Sequence, residues 1–111
     1  QHIQLVGSIL HYIEQNLSEA LSLQEIAQKY NYSVTYISKL FKHVTGSSLV
    51  SYIIDKRISR AKQLMYADIE IMQIAERVGY RNYSNFYKAF KKATGTSPEE
   101  YRRQLPGLSD Q

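Results

Sequence analysis

The chain has 111 residues, enough for one compact domain with a real core or for two subdomains of about fifty residues that lean on each other. A hydrophobic share of 43% with 22% charged residues is that of an ordinary soluble globular protein, and no apolar run approaches the ~18 residues that a membrane span needs. There is no cysteine, which removes disulfides and thiolate metal sites and is compatible with a cytoplasmic location, and the net charge is +4.

The opening QHIQLVGSIL lacks the basic leader and small-residue cleavage site of a signal peptide, and a start without Met suggests an excised fragment. The placement of charge says more than its size. Residues 1–25 hold no Lys or Arg and three acids, Glu14, Glu19 and Glu25. Residues 32–47 and 80–97 together hold six Lys or Arg and no acid.

Both prolines, Pro98 and Pro106, lie near the end, so helix is allowed along most of the chain, and strand-like alternation is absent. Ile3, Val6, Leu10, Ile13 and Leu17 recur at helical spacing and predict a first amphipathic helix of about fourteen residues. SLQE, Ser22 to Glu25, is a capping box, so a second helix starts at Leu23, carries Ile26 and Ala27 on one side and stops at Asn31, which tolerates the left-handed conformation of a tight turn. Ser33 caps a third helix through Ile37, Leu40, Phe41 and Val44, and Gly46 ends it. A long fourth helix is expected from Ser48 to Ala67, with Leu49, Tyr52, Ile53, Ala61 and Leu64 in the core. The pattern then restarts: Ile71, Ile74, Ala75 and Val78, a turn at Gly79, Phe86, Ala89, Phe90 and Ala93, and a stop at Gly95. SPEE, Ser97 to Glu100, opens a last short helix with Ser as cap and Pro in the first turn. The expected organisation is 1–47, a bridging helix 48–67, 68–104, and a frayed tail 105–111.

The restart is a repeat. FKHVTGSS, from Phe41, returns as FKKATGTS from Phe90. Lys39, Phe41, Lys42, Thr45, Gly46, Ser48 and Tyr52 match Lys88, Phe90, Lys91, Thr94, Gly95, Ser97 and Tyr101. A helical rhythm alone reproduces Phe and Ile but not the polar matches, so one helix-turn-helix unit has been duplicated. When the apolar stripe of each unit's second helix is buried, the remaining face carries Thr35, Tyr36, Ser38, Lys39 and Lys42, or Ser84, Tyr87, Lys88 and Lys91. Lysine can donate to guanine edges or phosphate, and hydroxyls to either, so both helices suit a DNA major groove. A bridging helix of about twenty residues is roughly 30 Å long, close to the ~34 Å between successive grooves on one side of B-DNA.

SLQEIAQKYNYSVTYISKLFKHVTGSSLVSYIIDKRISRAKQLM, and more specifically IAERVGYRNYSNFYKAFKKATGTSPEEYR, resemble the DNA-binding domain of the AraC/XylS family of bacterial transcription regulators. The resemblance implies an all-α fold of seven helices, with two helix-turn-helix units whose recognition helices, about 33–45 and 83–94, lie in adjacent major grooves of double-stranded DNA. Carried over by position, Thr35, Ser38, Lys39, Ser84, Tyr87 and Lys88, with Tyr36 and Asn85, are base-reading candidates. Lys42, Lys91, Arg81 and the helix N-termini at Ser33, Asn82 and Ser97 are phosphate-contact candidates. Arg57 matches a recurrent arginine of the bridging helix and also reads as a packing residue. Glu70 stands where the family often has a Ser or Thr cap, and Tyr83 and Tyr87 replace smaller residues. An N-terminal sensor or receiver domain and RNA polymerase are the expected protein partners.

No cofactor or metal is expected. His2, His11 and His43 are scattered, and no acid sits beside a His or Ser in a catalytic spacing, so the residues do not describe an enzyme. Two other binding classes compete with duplex DNA. Exposed Tyr36, Tyr83 and Tyr87 could stack on unpaired bases, and the first helix, free of basic residues, could contact another protein. Tyr30, Tyr52 and Tyr101 fall on apolar faces and are assigned to the core.

Overall fold

A computed structural model describes residues 2–107, and among these the chain is wholly helical. The elements are α1 (His2–Gln15), α2 (Leu23–Lys29), α3 (Val34–Thr45), α4 (Leu49–Leu64), α5 (Ile71–Arg77), α6 (Tyr83–Thr94) and α7 (Pro98–Arg103). The chain divides into two compact units, Gln1–Lys56 and Arg57–Gln111, with the boundary inside α4.

In the first unit α1 and α2 both pack on α3 around Ile9, Ile13, Ile26, Ile37 and Phe41, each fully buried. Burying side chains of this size stabilises by about 1.5–3 kcal/mol apiece. The α1 stripe is Val6, Ile9 and Ile13, continued by buried Leu17 in the turn that follows, and is rotated from the expected one: Ile3 is 75% exposed and Leu10 only half-buried. Val44 is likewise exposed at 39%. Ser22 Oγ accepts from the Glu25 N–H at 3.0 Å, while its own hydroxyl donates to the Glu25 carboxylate, so the box closes through side chains on that half.

The second unit repeats the turns and helix stops of the first. After α2, the N–H of Tyr32 reaches the Ala27 carbonyl at 2.9 Å with Asn31 at φ 63°. After α5, Tyr80 reaches Ala75 at 2.9 Å with Gly79 at φ 106°. Both are Schellman-type stops that turn the chain into the second helix of the unit. The shared Phe-Lys-x-x-Thr-Gly-x-Ser stretch is a device for ending one helix and starting the next. Thr45 donates to the Phe41 carbonyl and Thr94 to the Phe90 carbonyl, Gly46 and Gly95 take left-handed φ of 81° and 85°, and Ser48 and Ser97 cap α4 and α7. Tyr52 then packs edge-on to Phe41 at 5.5 Å, and Tyr101 to Phe90 at 5.2 Å.

α4 differs most from expectation. It has 16 residues rather than about twenty, an axial length of about 24 Å. The Met65 N–H is shared between the Ala61 and Lys62 carbonyls, and Tyr66 and Ala67 bond three residues back, so the last turn tightens and the helix stops. Met65 rather than Leu64 is the fully buried residue there, with Ile58 and Ala61 before it. Glu70 begins α5 with no side-chain cap bond. At the C-terminal end Leu105 is buried at 8% exposure and its N–H bonds to Arg102, so the fold holds through this residue. Residues 108–111 of the expected tail lie outside the described residues.

Candidate nucleic-acid interface

α3 buries Ile37 and Phe41, and α6 buries Phe86 and Phe90 at the equivalent positions, so helical spacing turns the opposite face of each to solvent. On α3 that face carries Thr35, Lys39 and Lys42, all exposed; on α6 it carries Ser84, Lys88 and Lys91, all exposed. These residues are brought onto one face within each unit. Asn85, Arg81 and Asn82 are exposed beside the α6 face, and Ser33 beside that of α3.

Three base-reading candidates sit at the flanks. Ser38 and Tyr87 are half-buried, with the Lys91 ammonium 6.0 Å from the centre of the Tyr87 ring. Tyr36 is also half-buried. Its hydroxyl is bonded to His2 Nδ1 at 2.9 Å, and its ring stacks on Tyr32 at 4.8 Å with 23° between planes. It therefore presents a ring rather than a polar tip.

The N-termini at Ser33 and Asn82 are built alike. Ser33 Oγ accepts from the Tyr36 N–H at 3.0 Å and Asn82 Oδ1 from the Asn85 N–H at 3.3 Å. The first N–H groups of each helix lie ahead of the intrahelical ladder and are available to an anion. α7 differs. Pro98 has no N–H, the Glu100 N–H is taken by Ser97 Oγ, and Glu99 and Glu100 already supply negative charge to that terminus. Glu99 also accepts a hydrogen bond from the Tyr83 hydroxyl. Burial first, and then Glu99 and Tyr87, push the Tyr83 phenol far above its ordinary value. This bond accounts for a tyrosine at a position where the family often has a smaller residue.

Arg57 lies on α4 with its guanidinium 5.5 Å from the centre of the Tyr80 ring. Burial lowers its pKa and Tyr80 opposes that shift, while Tyr80 is raised by burial against the pull of Arg57. The packing reading of Arg57 has a partner in this geometry.

Two exposed residues on the outward faces escape a reading based on the repeat's shared letters. His43 and Lys92 are exposed at equivalent positions in the last turns of α3 and α6. Their shared offset with the Lys42 and Lys91 pair is the signal that would have found them. A groove of the first unit lined by His11, Tyr12, Lys29 and Tyr30 takes no residue from α3. No cluster of three or more metal-ligating side chains occurs among the described residues, and no helix there is long and apolar enough to cross a membrane.

The family described as "Helix-turn-helix domain" matches residues 26–104, from α2 to the end of α7. The chain belongs to the AraC/XylS family. This is a family of DNA-binding transcription regulators, not of enzymes. Among curated relatives, the uncharacterized HTH-type transcriptional regulator YtdP of Bacillus subtilis is 35% identical over 94% of the chain, which spans only 14% of that protein's length. Among solved structures, the C-terminal domain of AraT, a response regulator from Geobacillus stearothermophilus, superposes with a TM-score of 0.88 at 36% identity, covering 91% of this chain and 85% of that one. The DNA-binding domain of AdpA, a global transcriptional factor solved in complex with a target DNA, gives 0.80 at 25% identity, with 88% of each chain covered. The AraC/XylS fold and its role in DNA binding are thus common ground between this chain and its relatives.

Proposed function

We propose that this domain is the sequence-specific output module of a bacterial transcription regulator, and that α3 and α6 each enter a major groove of double-stranded DNA, the two grooves being adjacent. The observation that carries the reading is the equivalence of the two outward faces: Thr35 with Ser84, Lys39 with Lys88, Lys42 with Lys91, each exposed on a helix whose opposite face is core. In this reading Thr35, Lys39, Ser84, Asn85 and Lys88 address base edges, with Ser38, Tyr36 and Tyr87 at the flanks. Lys42, Lys91, Arg81 and the N–H groups opening α3 and α6 address phosphates. Ser97 is the weakest member of the phosphate set, because Glu99 and Glu100 in the first turn of its helix repel an anion. The about 24 Å axis of α4 falls short of the ~34 Å groove repeat, so the two-groove reading rests on the paired faces and not on helix length.

Unpaired nucleic acid is less well supported. Its three candidate stacking rings are half-buried, and two of them have hydroxyls bonded within the protein, Tyr36 to His2 and Tyr83 to Glu99. A sensor or receiver domain as the input, and RNA polymerase as a further partner, belong to the same proposal; the response-regulator context of the AraT domain supports the receiver.

Selection from randomised duplexes of about 30 base pairs at near-physiological salt tests the reading. Enrichment of two unlike blocks centred about 10 base pairs apart is expected. A single enriched block would confine reading to one unit, and enrichment of nothing would overturn sequence specificity.

A further inference from the structure

The two reading helices are equivalent along their lengths but not at the N-terminal ends, which in helix-turn-helix proteins are the parts closest to base edges. In the first unit Tyr32 is 46% exposed and stacks on Tyr36, whose hydroxyl is held by His2. Thr35, exposed one turn before Lys39, adds a methyl group. The equivalent positions in the second unit are polar or withdrawn. Asn85 replaces Tyr36 and Ser84 replaces Thr35 without the methyl, while Tyr80, the counterpart of Tyr32, lies under Arg57 with its hydroxyl oxygen buried. The α3 end is thus an aromatic and methyl surface set ahead of Lys39 and Lys42, whereas the exposed positions of the α6 end, Ser84 and Asn85, are hydroxyl and amide, with the Tyr83 and Tyr87 rings half-buried beside them and the Tyr83 hydroxyl bonded to Glu99. The thymine C5-methyl is the one apolar group that a base pair displays in the major groove.

We infer that the first unit reads thymine through its C5-methyl group, with the stacked Tyr32 and Tyr36 rings and the Thr35 methyl as the contact surface, while the second unit reads by hydrogen bonds. The inference rests on the proposed entry of α3 into the groove. It assigns Tyr32, which precedes the helix and is absent from the base-reading set, a role in specificity.

The test replaces thymine by deoxyuridine, one position at a time, in the duplex recovered by selection; each change removes a methyl group and leaves every hydrogen-bonding group in place. The block read by the first unit is the one at which Lys39→Ala levels base preference. In that block at least one replacement is expected to weaken binding by about fourfold, the worth of one buried methyl, with no measurable change in the other block. Tyr32→Ala, a change at an exposed side chain, is expected to bind the thymine and deoxyuridine duplexes equally, with its thermal melt reported alongside. A first block without thymine, one indifferent to deoxyuridine, or equal losses in both blocks would overturn the inference while leaving sequence-specific binding intact. Failure of the selection to yield any preferred duplex would instead overturn the reading on which it rests.

Discussion

Arg102 in α7 donates from Nε to the carbonyl of Met65, 37 residues earlier, at 3.1 Å, and its Nη2 reaches the Ala67 carbonyl at the same distance. The guanidinium thereby satisfies the Met65 carbonyl where α4 tightens and stops, and adds a second donor to the Ala67 carbonyl, which already accepts from the Ile69 N–H. Arg102→Met is expected to lower the urea midpoint of unfolding by the equivalent of about 1 kcal/mol, kept modest because the side chain is only half-buried. Arg102→Lys should fall near the Met variant, since a single ammonium cannot hold both carbonyls at the fork's spacing. A lysine variant as stable as the parent would mean that charge near the helix end, not the fork, is what matters.

α5 starts without a side-chain cap, whereas its counterpart α2 starts on Ser22. Glu70→Ser is expected to raise the melting temperature, because the shorter hydroxyl side chain suits the Ncap bond to the Gln73 N–H. The gain should stay below about 1 kcal/mol, since the Glu70 carboxylate already interacts favourably with the positive end of the helix. Ser22→Ala should lose about 1 kcal/mol, and the opposite signs of the two changes in one melting series make the comparison decisive.

These two helix ends also mark what the sequence could and could not disclose. Ser22, Ser33, Gly46, Gly95 and Ser97 act within four residues of themselves, so their capping and stopping roles are written in local letters and were legible. The end of α4 has no Gly or Pro. It is set by a shared hydrogen bond at Met65 and by Arg102 from another helix, a partner that no window of local sequence contains. The face of α1 was misassigned for a related reason. Ile3, Val6, Ile9, Leu10 and Ile13 form two overlapping stripes on one broad apolar arc, and only packing on α3 chooses the one through Ile9. At the candidate interface the lysines were legible from their matched offsets. The bond that holds the Tyr36 hydroxyl was not, because His2 lies 34 residues away.

Lys39 and Lys42 are both exposed on α3 and differ only in position along it, as do Lys88 and Lys91 on α6. Replacing Lys39 or Lys88 by Ala is expected to reduce discrimination between matched and scrambled duplexes by about 1–3 kcal/mol. Replacing Lys42 or Lys91 should weaken all duplexes alike and lower the slope of log affinity against log salt by about one. Titration of each variant at several salt concentrations separates the two effects. Equal loss on every duplex for Lys39→Ala would move that residue to the phosphate set.

The hydrogen bond from Tyr83 to Glu99 links α6 to α7 and has a pH signature. The folded-state pKa of Tyr83 is raised above the ordinary 10.0, first by burial and then by Glu99, so folding favours the protonated phenol. The resulting stability is fully present below pH 10 and is lost as pH rises through the folded-state value. Alkaline titration of tyrosinate absorbance should therefore place Tyr83 among the rings that ionise late, beside Tyr30 and Tyr80, which burial also raises, and Tyr83→Phe should reduce the late amplitude by one ring. Below pH 10 the Phe variant should be less stable, since the bond to Glu99 is gone; as pH rises further the difference should shrink, because the parent loses the same contribution by ionising. No difference at any pH would leave the stabilising effect of Tyr83 to its ring packing against Phe86, 6.1 Å away, which the Phe variant keeps, and a difference that does not shrink in alkali would mean that the proton shared with Glu99 is not its source.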